Sequence, residues 1–296
     1  MSGAVWAAAS GVGFGVFQSL NRRAVAQMDV QLATFLQLCI ATAVLLVLSF
    51  ATADLGELGD APARSLADFA AGGLIHFFVG WTLLNASQKR IGAARTSPLI
   101  ATVPLFGVAV AFATLGELPG TLAWIAIVLI TLGAYVVGFA RVAGGRGERG
   151  EWRYSLFGLG CAAAWAVSPV FIRDGLDGLD SPLLGLTIGL LAAVVAYALT
   201  LPFRRDRLRG EPLVLDALSF KLLAGIFVAL STWGRWVALD STGVGIVLAL
   251  GLMSVPVVLL LSPVVMGRHV EQVTGWVWAG AALVVGGSLV LVARSL

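Results

Sequence analysis

Long apolar runs broken by short polar stretches fill the chain from end to end. Ten runs can be marked, at Gly3–Leu20, Gln31–Ala53, Ala67–Gln88, Ala93–Leu115, Thr121–Ala140, Tyr154–Ile172, Pro182–Phe203, Leu222–Leu239, Val244–Met266 and Thr274–Ala293. About 20 apolar residues are enough to cross a hydrocarbon layer of about 30 Å as a helix. The pattern therefore predicts an all-α membrane protein with ten transmembrane helices. The connections are short; the longest are the acidic Asp54–Leu66, the Gly/Arg-rich Arg141–Arg153 and the basic Arg204–Lys221. They leave no room for a separate soluble domain.

The fourth run has unusual punctuation. Lys89–Glu117 opens on a basic pair and a glycine, carries Pro98 and Pro104 in its apolar stretch and closes on Gly116-Glu117. A proline inside a helix removes a backbone hydrogen bond and loosens or kinks it. Pro169, Pro256 and Pro263 stand inside later runs in the same way. Such kinks either shape static packing or serve as hinges.

The polar breaks alternate in charge. The odd-numbered connections hold Arg22, Arg23, Lys89, Arg90, Arg95, Arg141, Arg146, Arg149, Arg153, Arg204, Arg205, Arg207, Arg209, Lys221 and Arg268. The even-numbered connections and the C-terminus hold only Arg64, Arg173 and Arg294. Basic residues resist translocation and mark cytoplasmic loops. This bias predicts cytoplasmic odd connections and both termini outside, in the cytoplasmic (inner) membrane.

Composition agrees: 59% of the 296 residues are hydrophobic, 12% are charged and the mean hydropathy is +0.95, against about 25% charged in a soluble domain. A net charge of +3 spread in short clusters gives no nucleic-acid surface. Cys39 and Cys161 both lie inside apolar runs and form neither a disulfide framework nor a metal spacing. No Lys or Arg precedes the first run, so it lacks the basic start of a secretory signal and reads as a retained membrane helix.

The chain also resembles itself. A shift of 152 residues lays Trp81 on Trp233, Ala86 on Ala238, Pro104 on Pro256 and Trp124 on Trp276; a shift of 154 lays Val16-Phe17 on Val170-Phe171. Each half holds five runs, an odd number, so the second half enters the membrane inverted. Inverted repeats of this kind are a transporter architecture, with a site near the midplane between them. The predicted organisation is a first repeat at 1–141, a basic linker at 142–153 and a second repeat at 154–296.

Ile91-Gly92-Ala93-Ala94-Arg95, Ser97-Pro98-Leu99, Pro104-Leu105-Phe106 and Leu115-Gly116-Glu117 resemble the EamA-type repeat of the drug/metabolite transporter superfamily. Trp124 and Gly133 stand where that repeat carries a Trp and a Gly. The second half departs, with Arg268-His269 in place of the Gly-Glu ending and Glu271 two residues on. The resemblance implies ten helices around a cavity lined mainly by the first, third, fourth, sixth, eighth and ninth. It also implies alternating access and the export of amino acids or other small metabolites.

An ionisable side chain at the bilayer centre costs on the order of 3 kcal/mol on insertion scales, so each one is a functional candidate. No Asp or Glu falls mid-run. Small multidrug antiporters of the same superfamily carry a carboxylate in the first helix; Gly11–Gly15 has none, which argues against carboxylate-driven proton antiport. His76 lies near the middle of the third run, either as a neutral buried histidine bonded to a neighbouring helix or as a substrate or proton contact. Arg235 lies in the eighth run. It either snorkels outward or pairs with Asp240, or it holds a substrate carboxylate by a charge-assisted fork while Trp233 or Trp236 packs the apolar part.

Trp81 and Trp165 add apolar walls. Asn85, Ser97, Thr102, Ser168 and Ser254 are polar at midplane depth, where such groups bond across helices for about 0.6 kcal/mol each. Pro104 and Pro256 are the candidate hinges. Glu117 either ends its helix or forms a gating ion pair. Gly11…Gly15 and Gly185…Gly189 are spaced for close helix packing.

Neither a nucleotide loop nor a metal cluster nor a catalytic spacing is present, so no enzyme activity, cofactor or metal is expected. The expected function is secondary transport of small organic metabolites such as amino acids. Multidrug or cation efflux, or a non-transport role such as lipid scrambling, is the alternative. The expected partners are a small-molecule substrate and the lipid bilayer, with the chain acting as a monomer or weak homodimer.

Overall fold

A bilayer interior offers no water to backbone N–H and C=O groups, so a chain that spans it folds into helices that satisfy their own hydrogen bonds. The computed structural model describes residues 3–115, 121–139, 151–204, 214–241, 247, 250–267, 270 and 273–295, and these are helical almost throughout. In chain order the helices are α1 (Gly3–Ala26), α2 (Val30–Thr52), the short α3 (Glu57–Asp60), α4 (Ala63–Gly73), a π-helical stretch (Leu74–Gly80) and α5 (Trp81–Ile91). There follow α6 (Ala93–Ile100), α7 (Val103–Leu115), α8 (Thr121–Phe139), α9 (Ser155–Leu176), α10 (Pro182–Thr200), α11 (Leu215–Ser241), α12 (Ser254–Met266) and α13 (Gly275–Ser295). Among the described residues, five helical stretches are long and apolar enough to cross a membrane: 30–52, 63–91, 152–176, 182–203 and 215–238.

Several elements differ from the hydrophobic pattern. α1 runs six residues past the predicted Leu20, so Arg22 and Arg23 lie on its last turns. α11 begins at Leu215, seven residues before the predicted Leu222. Lys221, assigned above to a cytoplasmic loop, is therefore inside a helix and fully buried, and Arg95 is likewise buried within α6. Hydropathy misplaced both because a lone cation at a run boundary reads as loop, whereas the helix continues wherever its backbone bonds do. The remaining loop cations keep the same bias. Glu117, Arg268, His269 and Glu271 lie outside the described residues.

The fourth run is broken. α6 ends at Ile100, and Ala101-Thr102 form a turn in which Thr102 N–H donates to the Leu99 carbonyl at 3.2 Å. Pro104 is the second residue of α7, on the first turn, where a missing N–H costs no intrahelical hydrogen bond. The same break occurs at Leu252-Met253, ahead of Pro256 in the third position of α12, with Met253 N–H donating to the Leu250 carbonyl at 3.1 Å. Both prolines thus stand on the first turn of a new helix rather than at a mid-helix bend. Between α5 and α6 the chain turns at Gly92, whose φ of 80° suits glycine alone.

α1 makes its most extensive contact with α11 and also lies along α12; α9 packs on α4, α5 and α7; α10 packs on α2 and α4; α8 pairs with α13. Close approach depends on glycine. A Cβ on Gly73 would lie 2.2 Å from the Gly189 carbonyl oxygen, so the end of α4 and α10 touch backbone to backbone. Gly11 and Gly15 meet Leu250 and Val257, so this small-residue pattern serves internal packing.

Gly73→Ala forces the two backbones apart, and the overpacking costs about 1–3 kcal/mol. The variant is expected to unfold several degrees earlier in detergent than wild type. Gly107→Ala, where a Cβ would meet nothing within 4 Å, is the control and is expected to match or slightly exceed wild type.

Candidate functional site

Polar and aromatic side chains converge on a small cavity bounded by α1, the π-helical segment, α9 and α11. Ser10, Gly11 and Phe14 face it from α1, His76 from the π-helical segment, and Trp165, Pro169 and Ile172 from α9. Ser231, Thr232, Arg235 and Trp236 close it from α11, with Gly251 at one edge. Its volume, about 50 Å³, admits a few waters in this conformation, at about 10–15 Å³ for each.

His76 is the best-held group in it. Its Nδ1 is 2.8 Å from the Ser168 hydroxyl, and its ring stacks on Trp165 with centroids 5.1 Å apart and planes 11° from parallel. Phe77 meets the same imidazole edge-on at 4.7 Å. The Trp165 indole N–H donates to the His76 backbone carbonyl at 3.1 Å. A π-helical turn is a common accompaniment of functional sites, and this one offers both its carbonyl and its side chain to α9. Gly80 makes the arrangement possible, since a Cβ there would lie 2.4 Å from the Trp165 indole nitrogen.

Arg235 is half-buried and reaches the cavity. Among the described residues its guanidinium has no carboxylate within ion-pair distance; the side chain of Asp240, the alternative partner, lies outside them. Trp236 is buried beside it and stacks on Phe69. A cation, an imidazole and two indole faces around one space suit an amphipathic ligand with a carboxylate.

Of the other residues singled out in the sequence, Ser168 belongs to this site through His76. Trp233 is outside the cavity lining and packs against Trp6 with centroids 5.7 Å apart. Trp81 is buried in the core against Phe77, away from the cavity lining. Thr102 donates to the Leu99 carbonyl at 2.7 Å and so satisfies the helix break. Ser254 is buried at the start of α12, where Gly15 approaches its carbonyl. α6 and α7 contribute no residue to the cavity lining, although the resemblance implies the fourth helix there.

Asn85 and Ser97 belong to a second polar cluster further along the bundle. Lys221 Nζ, with no exposed surface, donates to Asn21 Oδ1 at 2.5 Å and to Gln37 Oε1 at 2.8 Å. Asn21 donates to Asn85 Oδ1 at 2.7 Å and Gln88 Oε1 at 2.6 Å, and Asn85 donates to Thr34 at 2.8 Å. Gln18 reaches Ser97 at 3.5 Å. Beside the cluster Arg23 pairs with Asp216 at 3.0 Å and donates to the Val265 carbonyl at 3.0 Å. Sequence reasoning missed Lys221, Asn21, Gln37, Gln18 and Gln88. A signal was there, since Gln18 and Asn21 share a face of α1 and Gln37 interrupts an otherwise apolar run.

Ser168→Ala leaves the His76 ring nitrogen buried without its partner and is expected to cost about 1–3 kcal/mol. Unfolding in a double-mutant cycle with His76→Ala checks it; a coupling indistinguishable from zero would show that the contact carries no energy.

Residues 1–139 match the EamA-like transporter family. No curated protein matches the chain. A solved structure titled "Crystal structure of protein" aligns over 95% of this chain and 95% of its own, with a TM-score of 0.60 and 21% identity, a likeness of fold alone. The members of that family are transporters rather than enzymes. Residues 1–139 thus match the EamA-like transporter family, and together with the five membrane-length helices this match supports a multi-pass membrane protein and suggests a transporter of the drug/metabolite superfamily.

Proposed function

We propose that the chain is a ten-helix secondary transporter of the cytoplasmic membrane, built from two inverted repeats at 1–141 and 154–296, that exports amino acids or similar small organic metabolites. The observation that carries this reading is the cavity itself, where Arg235 and His76 converge between Trp165 and Trp236. Substrate enters with its carboxylate towards Arg235 and its apolar part against the indoles. His76, fixed by Ser168, presents the ring nitrogen that is not in that bond.

The contacts between helices support the repeat. Exchanging the halves turns the α1–α11 contact into the contact of α9 with 63–91, the α1–α12 contact into that of α9 with α6 and α7, and the α2–α11 contact into that of α10 with α4. The breaks before Pro104 and Pro256 correspond in the same way, and the repeat-related Trp124 and Trp276 are both exposed, at 56% and 70%. In the proposed cycle the two halves rock about the cavity, and the broken helices change their angle at Thr102 and Met253. The termini lie outside, the basic loops inside, and the functional partners are a small molecule and the bilayer.

In proteoliposomes the wild-type protein is expected to show saturable counterflow of an amino acid or related metabolite. His76→Ala and Arg235→Ala are each expected to reduce it by more than tenfold at equal incorporation. Absence of counterflow for every such metabolite would sink this substrate class; undiminished counterflow in both variants would sink the site. A C-terminal reporter active only outside the cytoplasm is expected to be active, and the opposite result overturns the orientation.

A further inference from the structure

Lys221 is the one fully buried lysine among the described residues, and the proposed site does not use it. Its ammonium is held by two neutral amide oxygens, Asn21 Oδ1 and Gln37 Oε1. Among the described residues no carboxylate lies within ion-pair distance; the nearest candidate along the helix, Asp216, is bonded to Arg23 and Gln27. A buried cation without a counter-charge is costly, so its retention asks for a reason beyond packing.

A second observation points to a ligand. Gln37 is fully buried, its oxygen faces Lys221, and its Nε2 has no hydrogen-bond partner. Reversing the amide would aim an N–H at the ammonium, so the donor stays free. Two buried donors, Lys221 Nζ and Gln37 Nε2, thus stand side by side with only amide oxygens to occupy one of them. Two acceptor oxygens on one negatively charged group would satisfy both, which describes a carboxylate.

Position adds a third argument. Lys221 and Arg235 lie on the same unbroken helix, α11. Fourteen residues separate them, a rise of about 21 Å and a rotation that returns within about 40° of the same face. Both face α1, Lys221 at Asn21 and the Arg235 end through Ser10, whose hydroxyl donates to the Ser231 carbonyl at 2.6 Å. The seam therefore has a cation towards each end and, among the described residues, no acid between.

We propose that Lys221 and Gln37 form a second binding station for the carboxylate of an organic anion at the cytoplasmic end of the pathway, matched to Arg235 at the outer end, and that the transported species carries net negative charge. The proposal rests on the transport reading and its orientation, and it narrows the substrate class. In the conformation described, Asn21 and Gln37 occupy the ammonium in place of the substrate. Opening at this end parts the Asn21–Asn85–Gln88 bonds, and the incoming carboxylate replaces the amide oxygens on Lys221. Between Lys221 and Arg235 a substrate cation would meet no acid on this seam among the described residues.

The test uses the full-length protein and three probes of one shape: phenylacetate, its neutral amide and phenethylamine. Half-saturation of counterflow is measured separately at each face in oriented proteoliposomes. Phenylacetate is expected to half-saturate the wild type at least tenfold lower than the other two. Lys221→Gln is expected to raise its half-saturation at the cytoplasmic face at least tenfold and to leave the outer face within twofold. Gln37→Glu provides a fixed counter-ion of the same shape and guards against a misfolded Lys221 variant. It is expected to fold at least as well as wild type and to raise the same cytoplasmic value at least tenfold. An unchanged value in Gln37→Glu, or equal changes at both faces, would make Lys221 a structural strut and overturn the proposal.

Counterflow of phenethylamine but not of phenylacetate would overturn the anion station while leaving transport intact. If none of the three probes is carried, the station is read by binding alone. Thermal stabilisation of the wild type in nanodiscs by phenylacetate, lost in Gln37→Glu, upholds it; no stabilisation overturns it.

Discussion

The antiparallel seam between α1 and α11 is the contact on which the rest of the structure depends. Within a bilayer every polar group withdrawn from water must find its partner in protein, and this seam gathers polar groups at both ends. At one end Asn21 takes the Lys221 ammonium and passes hydrogen bonds to Asn85 and Gln88; at the other Ser10 takes the Ser231 carbonyl beside Arg235. Between them small residues keep the helices close, as at Gly13, where a Cβ would meet the Ser231 hydroxyl at 2.5 Å. The two ends cannot readily loosen independently, because one pair of rigid helices carries both.

In the proposed repeat the contact between α9 and the 63–91 helix is the counterpart of that seam, and it has different chemistry. Its chemistry is aromatic: His76 stacks on Trp165, whose indole N–H donates to the His76 carbonyl, and Phe14 of α1 packs on the same indole. A cation-bearing seam on one side and an aromatic one on the other give the cavity two unlike walls. Such asymmetry orients an amphipathic molecule, since its charged and apolar ends are stabilised by different walls. The helix breaks at Thr102 and at Leu252-Met253 lie beside these walls, and a broken helix can change its angle at less cost than a continuous one.

The family resemblance was legible because the Lys89–Glu117 stretch carries a dense set of motif residues, and the helical class because apolar runs of membrane length leave few alternatives. His76 and Arg235 stood out as rare ionisable groups in apolar surroundings, and the folded chain brings both to one cavity with Trp165 and Trp236. Trp81, Thr102 and Ser254 looked equivalent to them in sequence, yet they serve core packing, a helix break and a close helix contact. Depth along a run can be counted from sequence; the direction a side chain faces depends on which helix covers it.

By itself the sequence determined the class of solvent the chain folds in, the helical response to that solvent, and the prolines that interrupt it, because each follows from local composition and backbone chemistry. Only the tertiary structure decided that Lys221 is a buried group rather than a loop cation, since its fate depends on Asn21 and Gln37, 200 and 184 residues away. It likewise decided the π-helical turn at His76, which a distant indole and a glycine without a Cβ make possible together. A polar residue in an apolar run announces a cost, and the partner that offsets that cost is a property of the fold.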